Sequence, residues 1–384
     1  MKGAITVRIL IAPDSFKGSL NASEIAQSMA SGVKKAAPDS IIDMLPIADG
    51  GEGTMDCMIE AVGGHIVTVS IHDPLGNARD ARYGLLVDGT VVIEAAEANG
   101  LELIERDERN PLLMNTVGVG ELIVHALDAG HTSFIIGIGG SGTNDAGIGM
   151  LYALGVRLLD VNGNELEPLP LSLSQLFTLD CSQLHPNLRL TTMHIATDVS
   201  NPLCGEQGAT AIFGPQKGVR SEWIDSLDQG FRQLSVVIDR QFGISTADMP
   251  GAGAAGGMGA AFVGVLGAKL GRGIDIILEM TDFNRRAKAA DLIFTGEGKT
   301  DTQTLQGKAV YGVVVRAKTL GTPVICVSGS YGSDVEDLYD MGLDAMLSIV
   351  PGPVSLEQSL LHAKAYIVQT CFQAMRIFLA GQRQ

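Results

Sequence analysis

The chain has 384 residues, 46% of them hydrophobic and 18% charged, which exceeds the comfortable size of one hydrophobic core and predicts two domains. Its net charge of −16 argues against binding to nucleic acid or to anionic membranes. Five widely spaced cysteines form no C-x-x-C pair, and no apolar run approaches the length of a signal core or a membrane span. We therefore expect a soluble, cytoplasmic protein with reduced thiols and no zinc site.

The first part of the chain has the pattern of buried strands alternating with helices. The apolar run at residues 7–12 predicts a strand that is buried on both faces. Asn21 and Glu24 are spaced as in a capping box, which predicts a helix that ends before Pro38. A second strand is predicted at residues 41–47.

The pattern changes in the middle of the chain. Residues 82–87 and 90–94 flank the pair Asp88-Gly89, a strong signal for an antiparallel hairpin. Further strands are predicted at residues 133–138 and 193–196. We interpret residues 65–284 as a mixed α/β domain inserted into a first domain.

The alternation of strands and helices returns near the C-terminus, with strands predicted at residues 292–295, 324–328 and 345–350. Together with the two N-terminal strands they predict a five-stranded, doubly wound parallel sheet. This first domain is therefore discontinuous and comprises residues 1–64 and 285–384. Ligands of such folds bind beyond the carboxyl ends of strands, and a cleft between the domains is a second expected location.

Acidic loops follow five of the predicted strands, and four of these loops contain glycine. Clustered carboxylates repel one another, so they indicate either a compensating cation such as Mg²⁺ or a general base. Adjacent glycines allow backbone N–H groups to approach phosphate oxygens, and Lys17, Lys299 and Lys308 would supply positive charge. These loops predict phosphoryl transfer. The residues expected to bind substrate or phosphate are Asp14, Ser15, Gly50, Gly51, Ser141, Thr143, Asn144, Asp145, Glu297, Lys299 and Asp301.

The common nucleotide-binding motifs are incomplete or ambiguous in this sequence. The segment ending in Lys299 and Thr300 resembles a P-loop, but Ile293 stands where the first glycine belongs. The triple Gly137, Gly139 and Gly142 follows a strand and has Asp160 about twenty residues further on, as in a dinucleotide site. This triple supports the alternative of an NAD-dependent oxidoreductase of a small hydroxy acid.

A second glycine triple, Gly251, Gly253 and Gly256, follows no convincing strand. We interpret it as the start of a tightly packed helix, since glycine and alanine allow helices to approach closely.

Seven sequence blocks occur in order along the chain, at residues 12–17, 48–54, 137–145, 201–203, 212–218, 250–259 and 295–298. Together they resemble the type-1 glycerate kinase family over nearly the whole chain. The resemblance implies a flavodoxin-like sheet of strand order 2-1-3-4-5 with an inserted second domain. It also implies the transfer of the ATP γ-phosphoryl group to D-glycerate, giving 2-phosphoglycerate, with Mg²⁺ as cofactor. A homodimer is compatible with it.

From their positions in the loops after predicted strands, we assign hypothetical catalytic roles to Asp49, Lys17 and Asp198. Lys17 and backbone N–H groups would hold the substrate carboxylate, while Asp49 and Glu52 would bind Mg²⁺. Asp198, ahead of Asp145, would accept the proton of the attacking hydroxyl group. Whether Asp49 holds the metal or takes the proton stays open.

Overall fold

The computed structural model of the chain describes residues 6–305, 307–332 and 335–382. The chain divides into two compact units. Unit 1 comprises Met1–Asp49, Asp56–Gly63 and Ile274–Gln384, and unit 2 comprises Gly50–Met55 and Gly64–Gly273. No helix among the described residues is both long enough and apolar enough to span a bilayer.

The strands within the described residues are, in chain order, β1 Arg8–Pro13, β2 Ile41–Met44, β3 Gly64–His72, β4 Ala78–Leu86, β5 Val91–Glu94, β6 Ser133–Gly137, β7 Arg157–Leu159, β8 Thr178–Asp180, β9 Thr192–Ala196, β10 Lys269–Gly271, β11 Leu292–Gly296, β12 Lys299–Thr300, β13 Val324–Ser328, β14 Ser330–Tyr331 and β15 Ala345–Ser348.

The helices of the same residues are α1 Ala22–Ala36, α2 Thr54–Val62, α3 Ala96–Asn99, α4 Val117–Asp128, α5 Ile148–Ala153, α6 Ala209–Phe213, α7 Ser221–Phe242, α8 Ala254–Gly264, α9 Gly273–Met280, α10 Phe283–Lys288, α11 Thr302–Leu305, α12 Ala309–Leu320, α13 Asp337–Asp340, α14 Leu356–Leu361 and α15 Ala363–Gly381. Short 3-10 turns lie at Leu101–Leu103, Pro170–Gln175, Pro186–Leu190 and Pro215–Lys217.

The main sheet of unit 1 is parallel and has the order β2-β1-β11-β13-β15. Counted within this sheet the order is 2-1-3-4-5, which confirms the predicted flavodoxin-like fold. Successive side chains of a strand point to opposite faces. Leu10 and Ala12 of β1 therefore pack in one core with Val313 of α12, while Ile9 and Ile11 pack in a second core with α1 and α15.

The first helix of unit 1 begins with the predicted capping box. The Asn21 side chain accepts a hydrogen bond from the Glu24 N–H at 2.9 Å, and the Glu24 carboxylate accepts one from the Asn21 N–H at 3.2 Å. Helix α1 ends at Ala36, two residues before Pro38. The cap thus satisfies two N–H groups that a helix start leaves without partners, and the prediction is confirmed.

The main sheet of unit 2 is mixed and has the order β10-β9-β6-β5-β4-β3. Strands β5, β6, β9 and β10 run parallel, whereas β3, β4 and β5 pair antiparallel. The turn between β4 and β5 contains Asp88 and Gly89. Gly89 has a φ of 86°, which only glycine adopts readily. The predicted hairpin and the mixed inserted domain are therefore confirmed.

The strand predictions differ from the structure at several points, and the short strands β7, β8, β10, β12 and β14 were not predicted. The strand predicted at residues 41–47 is assigned only as far as Met44, although the Ile47 N–H still bonds the Pro13 carbonyl at 2.9 Å. Strand β3 was not predicted. It joins β4 through a turn in which the Asp73 carboxylate accepts hydrogen bonds from the N–H groups of Leu75 and Asn77.

Candidate functional site

The carboxyl edge of the unit 1 sheet brings three predicted carboxylates together. Asp14 directly follows β1 and Glu297 directly follows β11, and the Asp14 N–H donates to the Gly296 carbonyl at 2.8 Å. The chain after β2 remains hydrogen-bonded to β1 as far as Ile47, which places Asp49 at the same edge. Parallel pairing of neighbouring strands therefore makes one acidic cluster from three distant segments.

A cavity of about 630 Å³ opens at this edge within unit 1. The cavity is lined in part by Gln303, Lys308 and Ser330 and by aliphatic residues from the segment after β15. The predicted site residues that line it are Asp14, Ser15, Lys17, Asp49, Glu297, Lys299 and Asp301.

Asp14 is the buried carboxylate of this cavity. Burial and the negative charge of Asp49 raise its pKa to about 7, and Glu297 adds to the effect. The Ser15 N–H, which donates to Asp14 Oδ1 at 2.6 Å, and the Lys17 charge oppose the shift without cancelling it. The site therefore favours a proton or a cation on Asp14 near neutral pH.

Glu297 is also buried, and the Thr304 hydroxyl donates to its Oε1 at 2.6 Å. Burial raises the pKa of Glu297, although hydrogen bonds from Thr304 and Thr300 and the charge of Lys308 act in the opposite direction. The hydrogen bonds hold this carboxylate in one orientation at the cavity wall.

The lysines of the cavity lie on its more exposed side. Lys299 forms an ion pair with Asp301 at 3.0 Å and lowers the pKa of that carboxyl group. Lys308 donates to the Gln303 side chain at 3.0 Å, and Lys17 is exposed. Ammonium groups beside carboxylates suit an anionic ligand that arrives with a cation.

A magnesium site built from protein side chains alone is not present in the described part of the chain, where no three His, Cys, Asp or Glu residues group to hold a metal. Mg²⁺ commonly takes only one or two carboxylates and completes its shell with water and substrate phosphates. Asp14 and Asp49 fit that role because their mutual repulsion calls for a cation. Glu52 is exposed and belongs to unit 2.

In unit 2, the glycine loops pack against one another at the carboxyl edge of the sheet. A side chain at Gly137 would clash with the Gly50 carbonyl, and one at Gly139 would come within 3.4 Å of Gly51 Cα. These glycines therefore permit close approach of two backbone segments.

Most of the predicted residues in the loop after β6 are buried. Asp145 is fully buried and accepts hydrogen bonds from the Thr116 N–H at 2.8 Å, the Thr116 hydroxyl at 2.7 Å and the Gly147 N–H at 3.0 Å. Burial raises its pKa. Thr143 and Asn144 are equally buried. Asp145 therefore orders this loop from within.

Lys217 lies in the same region, but it was not among the candidate site residues predicted from the sequence. It is fully buried, and its ammonium group donates to Ser141 Oγ at 2.9 Å and to the Thr143 carbonyl at 2.8 Å. Burial lowers its pKa to about 7, opposed by Asp145. The signal in the sequence was its place in the block at residues 212–218. A lysine that precedes a glycine and lies two residues after a proline otherwise suggests an exposed loop.

Asp198 is exposed in the loop after β9. The Thr197 N–H bonds the Gly271 carbonyl at 3.0 Å, so Asp198 and Arg272 follow neighbouring strands at one edge of the unit 2 sheet. Arg272 is a second basic residue that no sequence motif indicated. Its position after a short strand carried no recognisable spacing.

The alternative of a nicotinamide-dependent enzyme finds no support. A side chain at Gly142 would come within 3.0 Å of Leu101 Cα, so this glycine serves packing inside the unit. Asp160, the expected ribose partner, instead closes a turn by accepting hydrogen bonds from the N–H groups of Asn162 and Asn164 at 2.8 Å.

The second glycine triple starts helix α8, as predicted. Side chains at Gly253 and Gly256 would clash with the carbonyl oxygens of Pro202 and Thr143. The close approach of helix and loop requires glycine at both positions.

A doubly wound sheet with carboxylates and lysines at its carboxyl edge is typical of α/β enzymes that transfer phosphoryl groups. The chain belongs to the glycerate kinase family, whose model matches residues 9–379. A glycerate kinase of Bacillus subtilis (strain 168) is 47% identical over 365 residues, which cover 95% of this chain and 96% of that protein. A glycerate 2-kinase of Escherichia coli (strain K12) is 43% identical, with 92% and 93% covered.

A solved crystal structure agrees with this membership. A Salmonella typhimurium LT2 protein described as a glycerate kinase 2 superposes with a TM-score of 0.90 at 42% identity, covering 99% of this chain and 100% of that one. The family, and with it the fold class expected from the resemblance, is confirmed.

Proposed function

We propose that this chain is an ATP-dependent glycerate kinase that phosphorylates the 2-hydroxyl group of D-glycerate in the cytoplasm, with Mg²⁺ as cofactor. The observation that carries the proposal is the cavity of unit 1, where Asp14, Asp49 and Glu297 meet Lys17 and Lys299 in a chain of this family. The 2-position is supported by the relative from Escherichia coli, which is a glycerate 2-kinase.

In this proposal the lysines of the cavity neutralise charge on the transferring phosphoryl group. Lys17 lies on an exposed loop and can reach either the phosphoryl group or the substrate carboxylate. Mg²⁺, when bound, offsets the negative charge of the nucleotide phosphates. Asp49 and Asp14 would hold it, and Glu52 stays a sequence-based prediction.

The proton acceptor is proposed as Asp198, as the sequence suggested. The buried, fully hydrogen-bonded state of Asp145 supports this order of preference, because an acceptor must reach the substrate hydroxyl group. Ser141, Thr143 and Asn144 would then act by shaping the loop whose exposed backbone at Gly139 and Gly140 can meet an anion.

The proposal is tested by ADP release from ATP with D-glycerate, L-glycerate, other small hydroxy acids and no acceptor. We expect turnover with D-glycerate alone, and phosphorus NMR of the product should show the phosphate on carbon 2. Turnover with none of these acids would contradict the proposal. Light scattering of the same preparation distinguishes the homodimer from the monomer.

Asp49 is tested by the substitution Asp49→Asn, which should lower kcat by about 10²–10⁴-fold because a charged group at the phosphoryl site is lost. Asp39→Asn is the matched control, since Asp39 is an exposed aspartate of the same unit outside the cavity lining. A folded Asp49→Asn enzyme with unchanged kcat would remove Asp49 from the mechanism.

A further inference from the structure

The cavity of unit 1 has two chemically different ends. Its charged end follows β1 and β11, in the middle of the sheet. Its other end follows the edge strand β15, where the Ile349 N–H bonds the Ser328 carbonyl at 2.9 Å and fixes the start of the segment. The two ends belong to one continuous cavity of about 630 Å³.

The end after β15 is lined by an aliphatic wall, which we define as Ile349, Val350, Val354, Leu356 and Leu360. Val354 and Leu360 are each 41% exposed, and Leu356 is 75% exposed. Large aliphatic side chains that are scattered singly on a surface need no explanation, but several on one concave wall mark a binding site.

The aliphatic wall does not match the chemistry of glycerate. That substrate carries an oxygen on each of its three carbons and so presents no apolar face. A nucleoside triphosphate has both parts that the cavity offers, a polyanionic chain for the lysine-containing end and a flat base for the aliphatic end. The volume also falls in the range of about 300–1,000 Å³ that is usual for pockets holding ligands of this size.

We propose that the base and ribose of the nucleotide pack against the aliphatic wall, while the phosphates extend toward Asp14, Lys17 and Glu297. This inference rests on the proposed kinase function and adds the place and the contacts of the nucleoside. Helix α14 supplies the two leucines, and the segment between β15 and α14 supplies Val354. The nucleotide therefore lies along the sheet edge from β1 to β15.

The test compares two ligands by titration calorimetry of the full chain with Mg²⁺ and no glycerate. ATP engages both ends of the cavity, whereas tripolyphosphate engages only the charged end. Leu356→Ser and Leu360→Ser should each weaken ATP binding about 5- to 10-fold, the effect of losing part of one buried leucine contact. Binding of tripolyphosphate should not change.

Leu361→Ser is the matched control. Leu361 is 73% exposed, lies on the same helix as Leu356 and does not line the cavity. Its replacement should leave ATP binding and the melting temperature unchanged. Because Leu356 and Leu361 are equally exposed, general effects of placing a serine on α14 appear in both variants.

Each outcome decides the inference. Wild-type ATP affinity in both wall variants overturns it, as does an equal loss of tripolyphosphate binding, which would indicate a distorted charged end. A selective loss of ATP affinity supports the nucleoside site even if no hydroxy acid is phosphorylated. Phosphorylation of glycerate with unaffected wall variants would keep the function and reject the nucleoside site.

Discussion

Asp14 is expected to destabilise unit 1 at neutral pH. Its pKa is about 7 in the folded chain, against an ordinary value of 3.8, because it is buried beside Asp49 and Glu297. A carboxyl group with a raised folded pKa contributes stability below its unfolded pKa and loses it as the pH rises through the folded one. The loss therefore develops between pH 3.8 and pH 7.

The substitution Asp14→Asn removes this loss. A shift of about three pKa units corresponds to about 4 kcal/mol at about 1.4 kcal/mol per unit. Asparagine keeps the Oδ1 acceptor for the Ser15 N–H, but its amide hydrogens lose hydrogen bonds to water on burial. We therefore expect a net gain of about 2–4 kcal/mol at pH 8, or roughly 4–16 °C in melting temperature for a unit of this size.

The assay is differential scanning calorimetry in EDTA at pH 4.5 and pH 8. The difference between Asp14→Asn and wild type should be large at pH 8 and small at pH 4.5, and Mg²⁺ should reduce it at pH 8. Asp39→Asn is the control and should show neither change. An equal difference at both pH values, or a less stable variant at pH 8, would refute the electrostatic reasoning. Loss of kinase activity in the stabilised variant is expected as well.

Two further predictions concern unit 2. Gly256→Ala should destabilise the chain by more than about 3 kcal/mol, because the new side chain would clash with the Thr143 carbonyl. Gly267 has nearly the same φ but open space around it, so Gly267→Ala should cost about 1–2 kcal/mol. Urea unfolding measures both free energies, and equal costs would contradict the clash. Burial lowers the pKa of Lys217 to about 7, so the free energy of unfolding should rise with pH above 7. Lys217→Met should flatten this rise, as measured by unfolding followed through the fluorescence of Trp223. A rise of the same slope in the variant would contradict this prediction.

The positions of the five strands in the unit 1 sheet were predictable from local sequence pattern, whereas their order was expected from the resemblance to the glycerate kinase family. The run at residues 7–12 is continuous and apolar, as expected for a strand covered on both faces, and the structure places β1 there. The hairpin around Gly89 was equally clear because its short turn needs a positive φ at that residue. Strand β3 was missed because its turn to β4 is longer and is closed by the Asp73 side chain, which leaves no short signature.

The direction in which a loop side chain points was not predictable from its position after a strand. Asp49 and Asp145 both lie in acidic glycine loops that follow predicted strands, yet Asp49 lines the cavity and Asp145 is buried inside unit 2. The difference arises from partners far away in sequence, such as Thr116. The aliphatic wall was hidden for a similar reason, since residues 351–355 read as an ordinary proline-containing loop.

The pairing of β1 with β11 has a consequence for synthesis of the protein. Thr295 bonds the Ala12 carbonyl across a separation of 283 residues, so the N-terminal strand waits for its central neighbour until most of the chain has been translated. At about 5–20 residues per second this delay lasts roughly 15–55 s. During that time unit 2 can fold while an apolar strand stays without its second neighbour. Any dependence on chaperones should therefore arise from the first 50 residues. A shorter interval between the translation of β1 and that of β11 should improve the yield of folded protein.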